Sequence, residues 1–190
     1  MPEETTLVLD EKGMFRVMTR IAHEVVERNR GATDIALVGI RRRGDSLAKR
    51  LATLISEIEG HPIPVGALDI TLYRDDFQTR FPQPVVRKTA IPFDIERRTI
   101  ILVDDVLYTG RTIRAALDEL TDFGRAKRIQ LAVLIDRDGR ELPIQADYVG
   151  EHIPTTPHET VVVRVREVDG EDSVTIERTD RGQGSGVRGQ

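Results

Sequence analysis

The chain has 190 residues, of which 39% are apolar and only 4% aromatic, and its formal net charge at pH 7 is −4. This length fits one domain with a sizeable aliphatic core, and the lack of cysteine excludes disulfides and thiolate metal sites. The charge balance excludes binding of nucleic acid through a global basic excess, so any such contact needs a local patch.

The start of the chain and its apolar runs bear on its location. The first residues, MPEETTLVLDEKG, contain no cationic apolar signal segment, and no apolar run reaches membrane-spanning length. We therefore expect a soluble, cytoplasmic protein with no membrane partner. No internal repeat or second domain is visible, so we expect one domain over residues 1–179 and a disordered, glycine-rich tail at 180–190.

The first predicted element is an amphipathic helix at residues 11–30. Its apolar residues repeat at three- and four-residue spacing, and Gly31 provides a stop. Thr19, Arg20 and His23 lie on its other side, since residues three and four apart meet on a helix surface. On the residues alone, this polar face is either an ordinary solvated surface or a binding face.

A buried strand is predicted at residues 34–40. The run of three arginines that begins at Arg41 follows it and precedes a predicted helix at 45–57. Cationic groups at such a junction suit a polyanion at the carboxyl end of a parallel sheet. A solvated basic turn is the alternative.

A second strand is predicted at 65–73, before a long connection at 74–97 that has little periodicity and contains prolines. A connection of this length inside a compact domain is usually functional or mobile. We interpret it as a flexible lid, with Arg74 and Lys88 among the residues that close over a charged substrate. A surface insertion or an oligomer arm is the alternative.

Residues 99–112, TIILVDDVLYTGRT, carry the strongest chemical signal. The apolar run at 99–103 predicts a strand buried on both faces of a parallel sheet, closed by Asp104 and Asp105. Adjacent residues of an extended chain point to opposite faces, so we expect one carboxylate to face a ligand and the other the scaffold, rather than a matched acid pair. A helix follows, with apolar residues recurring from Ile113.

The loop between this strand and this helix suits a phosphate. The N–H groups and the dipole of a helix N-terminus hold an anion, Gly110 permits close approach, and the Thr109 and Thr112 hydroxyls can donate. A phosphate beside vicinal hydroxyls, as in ribose 5-phosphate, would satisfy the loop and the acids. The phosphate motifs of nucleoside-triphosphate loops and dinucleotide folds are absent.

In the last third of the chain, the predicted alternation of strands and helices continues to residue 135 and then stops. Another strand is predicted at 128–135, and the stretch that follows contains prolines and short extended segments but no helical pattern. Residues 161–165 return as a strand, and 172–178 form a predicted edge strand. The whole pattern predicts an α/β fold with a central, mostly parallel sheet flanked by helices.

The string Asp-Asp-Val-Leu-Tyr-Thr-Gly-Arg-Thr resembles the phosphoribosyl-pyrophosphate signature of type I phosphoribosyltransferases. Its residues are similar to the motif of one subfamily, the bifunctional pyrimidine-operon regulators that are also uracil phosphoribosyltransferases. The strings Thr-Arg-x-x-His, GIRRRG and LDITLYRDD resemble the same subfamily, so the resemblance runs from about residue 14 to residue 165. It implies the type I phosphoribosyltransferase fold, in which a small hood, expected here at about 136–160, covers the base.

The resemblance implies that uracil displaces pyrophosphate from phosphoribosyl pyrophosphate to give UMP, with Mg²⁺ bound mainly by the substrate. Arg41 and Arg42 would hold pyrophosphate, with Arg74 and Lys88 closing over it. The sugar phosphate would lie against Tyr108, Thr109, Gly110, Arg111 and Thr112. Asp104 and Asp105 would lie near the ribose hydroxyls and form the catalytic set with Arg41, and Arg137 would lie where the base is recognised.

The resemblance also implies binding of leader mRNA in response to UMP or UTP, through Thr19, Arg20, His23 and Arg140. Relatives usually read Asp-Arg-Gly-His-Arg-Glu-Leu-Pro where this chain has DRDGRELP at 136–143, so the histidine of the relatives is missing. Where relatives often carry basic residues, this chain has Gln145 and Glu151. Fewer cationic groups weaken binding to RNA phosphates.

Three hypotheses follow. The chain is a uracil phosphoribosyltransferase that also binds leader RNA, the same enzyme without RNA binding, or a nucleotide-sensing RNA-binding regulator with vestigial catalysis. The first is favoured by the Thr-Arg-x-x-His helix and the second by the altered hood, whereas the intact signature counts against the third. A purine or orotate enzyme is a fourth option. We also expect a homodimer or higher homo-oligomer, and no metal site of the protein's own, since His61, His152 and His158 lack metal-ligand spacing.

Overall fold

The computed structural model describes residues 4–71 and 89–178. Its elements in chain order are β1 (Glu4–Leu9), α1 (Glu11–Asn29), β2 (Ile35–Ile40), α2 (Arg43–Glu59), β3 (Val65–Leu68), β4 (Thr99–Leu107), α3 (Arg111–Thr121), β5 (Arg128–Arg137), β6 (Tyr148–Ile153), β7 (Glu159–Arg164), α4 (Arg166–Asp169) and β8 (Ser173–Arg178). In these two ranges, no helix is long and apolar enough to cross a membrane.

Five strands form a parallel sheet in the order β3-β2-β4-β5-β6. Alternate residues of β2 and β4 enter two different cores, because successive side chains of a strand point to opposite faces. Leu37 and Ile101 pack with α1 and α2, whereas Val38 and Leu102 pack with α3. The predicted α/β fold with a central parallel sheet flanked by helices is therefore confirmed.

The first two helices lie close to their predicted positions. The side chain of Asp10 accepts a hydrogen bond from the Gly13 N–H at 2.7 Å and caps α1. Arg30 adopts a left-handed conformation that ends the helix, one residue before the predicted stop. The second helix extends two residues beyond its predicted range at each end.

Tight packing places the start of α2 against β4. A Cβ atom on Gly39 would lie 2.3 Å from the Gly44 carbonyl oxygen, and one on Gly44 would lie 2.5 Å from the Val103 carbonyl oxygen and 3.2 Å from Cα of Asp104. Only glycine fits at these two positions, because real Cβ atoms do not approach so closely. The arginine loop is thereby held beside the acids of β4.

The structure corrects two predicted strand ends. Strand β4 continues to Leu107, so Asp104 and Asp105 lie inside the strand rather than at its close, paired with β5 through Asp104 and Val106. Strand β3 ends at Leu68 and not at residue 73. The chain leaves the sheet at Asp69, whose carboxylate accepts hydrogen bonds from the backbone and hydroxyl of Thr71 and so favours a turn.

The predicted hood is wrong for Tyr148–Ile153. This segment is β6, which pairs in parallel with β5 and forms an edge of the central sheet. The remaining candidate for a hood is a separate antiparallel sheet in the order β1-β8-β7, which shares the core of α1 and α2.

Three features of this small sheet and its connections differ from the sequence predictions. Its middle strand is β8, so the predicted edge position of 172–178 is wrong. The pairing strand β1 was not predicted, because its residues are mostly exposed and lack an alternating apolar pattern. The single turn of α4 was also missed, since one turn is too short to show a helical period.

Only part of the predicted lid is described. Residues 74–88, with Arg74 and Lys88, lie outside the described ranges, as does the predicted tail at 180–190. The end of the predicted lid packs against the body: Ala90 forms an antiparallel bridge with Ala67, and Ile95 is buried. The flexible lid therefore stays a prediction for 74–88.

Candidate active site

The loop before α3 presents a helix N-terminus whose N-cap residue is a glycine. Gly110 has a φ of +92° and serves as N-cap residue without a side-chain hydrogen bond to the helix. The Arg111 N–H donates to Oγ1 of Thr109 at 3.3 Å, and the Arg114 N–H donates to the Gly110 carbonyl at 3.0 Å. Backbone N–H groups that lack a side-chain cap are suited to hold a phosphate. The predicted phosphate loop therefore has the local geometry that this role needs.

Asp104 is buried and Asp105 is half-buried, and both carboxylates accept hydrogen bonds from the backbone. The Asp105 N–H donates to Oδ1 of Asp104 at 2.9 Å, and the Val106 N–H donates to Oδ1 of Asp105 at 2.7 Å. Each carboxylate therefore accepts a hydrogen bond from the N–H of the residue that follows it. That one carboxylate faces a ligand and the other the scaffold stays a prediction.

Burial raises the pKa of Asp105 above its ordinary value. The Val106 N–H, the positive charge of Arg43 and the hydrogen bond with Asp104 act in the opposite direction and lower it. Because two adjacent buried carboxyl groups repel each other when both are ionised, the charge state of this pair depends on its cationic neighbours.

The arginine loop lies at the carboxyl end of β2, next to these acids. The Arg41 guanidinium contacts Asp45 at 3.3 Å, and its backbone N–H donates to the Leu68 carbonyl at 2.8 Å. Nε of Arg41 is buried and makes no hydrogen bond within the described ranges. The peptide bond between Arg41 and Arg42 is cis. Arg42 is exposed, and no described residue forms a hydrogen bond or ion pair with its side chain. Both side chains therefore retain donors for an anion.

Residues 138–142 are docked on the phosphate loop. The Glu141 and Leu142 N–H groups both donate to the Thr109 carbonyl, at 3.0 and 3.1 Å. The Arg111 guanidinium forms an ion pair with Glu141 at 2.6 Å, and Arg140 donates to the Tyr108 carbonyl. The two segments therefore form one structural unit.

Arg137 is buried beside this unit, with 8% of its surface exposed. Its Nε donates to Oγ1 of Thr155 and its Nη2 to the Glu159 carbonyl, both at 3.1 Å. The guanidinium carbon lies 4.0 Å from the centroid of the Tyr108 ring, which is a cation–π distance. The predicted base-recognition residue is thus a rigid support for Tyr108.

A cavity of about 870 Å³ joins these parts. It is lined by the phosphate loop from Tyr108 to Thr112, the first turns of α3, Arg137, and the start of β7 around Glu159 and Val161. The acids and the arginine loop do not line it. They lie at the same carboxyl edge of the sheet, because β2 and β4 are neighbouring parallel strands.

The residues predicted to bind RNA fall into two groups. On α1, His23 is exposed, Thr19 donates to the Phe15 carbonyl at 2.9 Å, and Arg20 donates to the carbonyls of β6 at Val149 and Gly150. Across residues 4–71 and 89–178, no hydrogen bond or ion pair joins this group to Arg140. That arginine instead bonds to Asp136 at 2.7 Å, next to the phosphate loop.

Comparison with known proteins identifies the family. The description "Phosphoribosyl transferase domain" matches residues 4–168. The chain belongs to the phosphoribosyltransferase family. It is 59% identical over 179 residues to "Bifunctional protein PyrR" of Pelotomaculum thermopropionicum, covering 94% of this chain and 99% of that one. It is 64% identical to a protein of the same name from Roseiflexus, covering 90% and 94%. The predicted membership of the bifunctional PyrR subfamily is confirmed.

Solved phosphoribosyltransferases share the fold. A hypoxanthine phosphoribosyltransferase from Staphylococcus aureus superposes with a TM-score of 0.66 at 17% identity, covering 92% of this chain and 93% of that chain. The enzyme from Trypanosoma cruzi, in complex with IMP, gives 0.68 at 16% identity, covering 94% and 92%. At such low identity, the likeness concerns the phosphoribosyltransferase fold alone.

Several residues of the phosphoribosyltransferase site were missed in the sequence. Thr155 and Glu159 hold Arg137, and Asp169 holds Arg43. The run of three arginines made Arg43 a candidate, but nothing in the sequence distinguished its partner, Asp169, from other surface acids. His152 lies 3.5 Å from Asp138 and 3.9 Å from Asp136, a contact that depends on the placement of β6 in the main sheet.

Proposed function

We propose that this phosphoribosyltransferase makes UMP and pyrophosphate from uracil and phosphoribosyl pyrophosphate, and that it also regulates a pyrimidine operon by binding leader mRNA in response to UMP or UTP. One observation carries the enzymatic part: the phosphate loop, at a helix N-terminus with a glycine N-cap, shares a cavity with Arg137. The high identity to bifunctional PyrR proteins supports both parts.

In the proposed reaction, the bond between C1 of the ribose and the pyrophosphate oxygen breaks, and both electrons leave with pyrophosphate. N1 of uracil forms the new bond to C1 and loses its proton. Arg41 and Arg42 neutralise the leaving group, and the negative charge of the Asp104–Asp105 pair favours the cationic ribosyl transition state. The phosphate loop and Arg137 orient the two reactants, so positioning and electrostatics provide the catalysis.

Mg²⁺ fits this site as an ion that is brought in by the substrate. Within residues 4–71 and 89–178, no group of three histidine or acidic residues is arranged to hold a metal. Mg²⁺ keeps several waters and prefers phosphate oxygens, so pyrophosphate held by Arg41 and Arg42 would carry it. When bound, the ion adds positive charge to the leaving group.

The enzymatic proposal is tested by release of pyrophosphate with uracil, hypoxanthine or orotate as acceptor. We expect turnover with uracil, and loss of turnover in Asp105→Asn and in Arg41→Ala with little change in unfolding. Asp34→Asn is the matched control, because this exposed aspartate precedes β2 at the opposite edge of the sheet. Near-normal turnover in either site variant would refute the assigned site, and preference for another base would refute uracil.

The regulatory proposal is tested by titrating the operon's own leader RNA at two salt concentrations, with and without UMP. Tight binding that UMP strengthens supports it. Binding that is weak, indifferent to UMP and abolished by salt would leave an enzyme alone. Light scattering of the same samples tests the predicted homodimer or higher oligomer.

One observation favours the enzyme without RNA binding. The exposed surface around β6 carries Asp138 and Glu151, and Asp136 and Asp138 already surround His152. Negative charges repel RNA phosphates, so this surface lowers the expected affinity. The third hypothesis, a regulator with vestigial catalysis, would require that the unchanged protein show no turnover in the pyrophosphate assay.

A further inference from the structure

Thr89 joins two parts of the protein through its hydroxyl group. Oγ1 of Thr89 accepts a hydrogen bond from the Asp69 N–H at 2.9 Å and donates one to Oε1 of Glu119. Asp69 directly follows β3, and Glu119 lies in α3, the helix that begins at the phosphate loop. Because a hydroxyl has one donor and two acceptor lone pairs, this side chain makes both bonds at once. The end of β3 is therefore tied to α3.

Both ends of this link lie in well-packed parts of the protein. Ala90, the residue after Thr89, exchanges two backbone hydrogen bonds with Ala67 of β3, each at 2.8 Å. Glu119 is buried, and its neighbour Leu120 belongs to the apolar core between α3 and the sheet. The link therefore connects a strand to a helix rather than two mobile surface side chains.

The end of β3 also holds the arginine loop. The Leu68 carbonyl accepts a hydrogen bond from the Arg41 N–H at 2.8 Å, one residue beyond Ile40, where the pairing of β2 with β3 ends. Leu68 and Asp69 are consecutive, so this short stretch of backbone bonds to the arginine loop and, through Thr89, to α3. A series of hydrogen bonds thus runs from the arginine loop to the helix of the phosphate loop.

The link restricts a motion that the apolar packing of α3 permits. The helix contacts the sheet through apolar side chains, and the hydrophobic effect resists their separation without defining a direction. Packed helices can slide by small distances, and sliding of α3 along the sheet would change the distance between the phosphate loop and the arginine loop. A hydrogen bond has a narrow range of length and angle, so the bond from Thr89 to Glu119 opposes this sliding.

We infer that Thr89 and Glu119 are positioning residues that hold the phosphate loop and the arginine loop at the spacing that one molecule of phosphoribosyl pyrophosphate requires. The inference rests on the proposed function, in which the two loops bind opposite ends of this substrate. When two sites bind one molecule, the gain in affinity depends on the distance between the sites. Neither residue lines the cavity at the phosphate loop, so both act through the loops and not by contact with the substrate.

The test compares the whole substrate with its two halves by isothermal titration calorimetry. Phosphoribosyl pyrophosphate, ribose 5-phosphate and pyrophosphate are titrated separately, with Mg²⁺ and without uracil. In Thr89→Val and in Glu119→Leu, we expect the dissociation constant of phosphoribosyl pyrophosphate to rise roughly tenfold to a hundredfold, because a small misplacement of binding groups has a cost of this order. The dissociation constants of the two halves should change little, since each loop stays intact.

Conservative variants separate the hydrogen bonds from side-chain volume. Thr89→Ser keeps the hydroxyl and Glu119→Gln keeps an acceptor, so both should bind phosphoribosyl pyrophosphate nearly as well as the unchanged protein. Ser56→Ala is the matched control. The Ser56 hydroxyl also accepts a backbone N–H, from Ile63 at 3.2 Å, and donates to the Ala52 carbonyl at 2.6 Å, but it joins α2 to the segment before β3. Its loss should lower thermal stability without weakening the binding of phosphoribosyl pyrophosphate.

Two results would overturn the inference. One is a loss of affinity for phosphoribosyl pyrophosphate in Thr89→Val that is no larger than in Ser56→Ala. The other is an equal loss for the whole substrate and for its halves, which a general loosening of the structure would produce. If the unchanged protein binds phosphoribosyl pyrophosphate but makes no UMP, the proposed function fails, and the same comparison still decides the inference. Absence of binding to the unchanged protein overturns both.

Discussion

A Cβ atom on Gly139 would lie 2.2 Å from Cε2 of Tyr108, and Gly139 has a φ of +119°. The backbone of the 138–142 segment therefore runs directly against the ring that Arg137 supports from its face. No larger residue permits this contact in this conformation, because any Cβ atom would collide with the Tyr108 ring.

Gly139→Ala should therefore destabilise the protein and displace Tyr108. We expect a loss of about 1–3 kcal/mol in the free energy of unfolding, as for other overpacked positions, and a higher KM for uracil. Gly170→Ala is the control, since Gly170 has a φ of +83° but no described atom lies within 4 Å of the place where the new methyl group would sit. It should show only the backbone penalty of about 1 kcal/mol. Equal effects in urea unfolding would contradict the role of the Tyr108 contact.

Arg137→Lys should lower kcat/KM for uracil by roughly tenfold to a hundredfold. Lysine keeps the charge but cannot bond to Thr155 and the Glu159 carbonyl while lying flat on the Tyr108 ring. Arg111→Lys is the comparison, because Arg111 is exposed and its side chain pairs with the exposed Glu141, although its backbone belongs to the phosphate loop. A similar small loss in both variants would argue against a special role for Arg137.

Glu119→Gln should stabilise the protein near neutral pH. Glu119 is 6% exposed, its Oε2 has no partner within the described ranges, and burial raises its pKa above the ordinary 4.5. The folded state thus binds the proton more tightly than the unfolded state, so stability falls as pH rises from 4.5 through the raised pKa. Glutamine avoids this loss and still accepts from Thr89.

Urea unfolding at pH 4 and pH 7.5 measures this difference. The gain of Glu119→Gln over the unchanged protein should be larger at pH 7.5. Glu27→Gln, which removes an exposed negative charge from α1, should change stability little at either pH. A gain that is independent of pH would show that ionisation of Glu119 is not its cause.

Arg20→Ala and His23→Ala should separate folding from RNA binding. The Arg20 guanidinium donates to the Val149 and Gly150 carbonyls and pairs with Glu24, so its loss should lower the thermal midpoint as well as RNA affinity. His23 is exposed and should affect RNA affinity alone. Filter binding and thermal unfolding of both variants check this, and unchanged RNA affinity in both would remove α1 from the proposed interface.

The sequence predicted the parts of the fold whose signals are local. The apolar run before Asp104 and the period of α1 identified a buried strand and an amphipathic helix, and the Thr-Gly-Arg-Thr string located the phosphate loop. The placement of β6 was not predictable in this way, because its partner β5 is defined by pairing between segments. The same holds for β1, which pairs with the distant β8.

The site residues also differ in how local their sequence signals are. Asp104, Asp105 and the predicted phosphate loop are contiguous, so their spacing made them candidates. The supports of Arg137, at Thr155 and Glu159, are polar residues without a motif, and the contact of Asp169 with Arg43 joins positions far apart in the chain. The hydrogen bonds from the following N–H groups to Asp104 and Asp105 were not predictable either, because they depend on the local conformation of each side chain.

The docking of residues 138–142 on the phosphate loop also determines where this protein can be recombined with its relatives. A crossover between residues 112 and 137 would join the loop of one parent to the docking segment of the other, and the Thr109 carbonyl, the Arg111–Glu141 pair and the Tyr108–Gly139 contact would each receive a foreign partner. Crossovers before residue 108 or after 142 inherit both halves together. For chimeric proteins, these two distant stretches of sequence therefore behave as a single module.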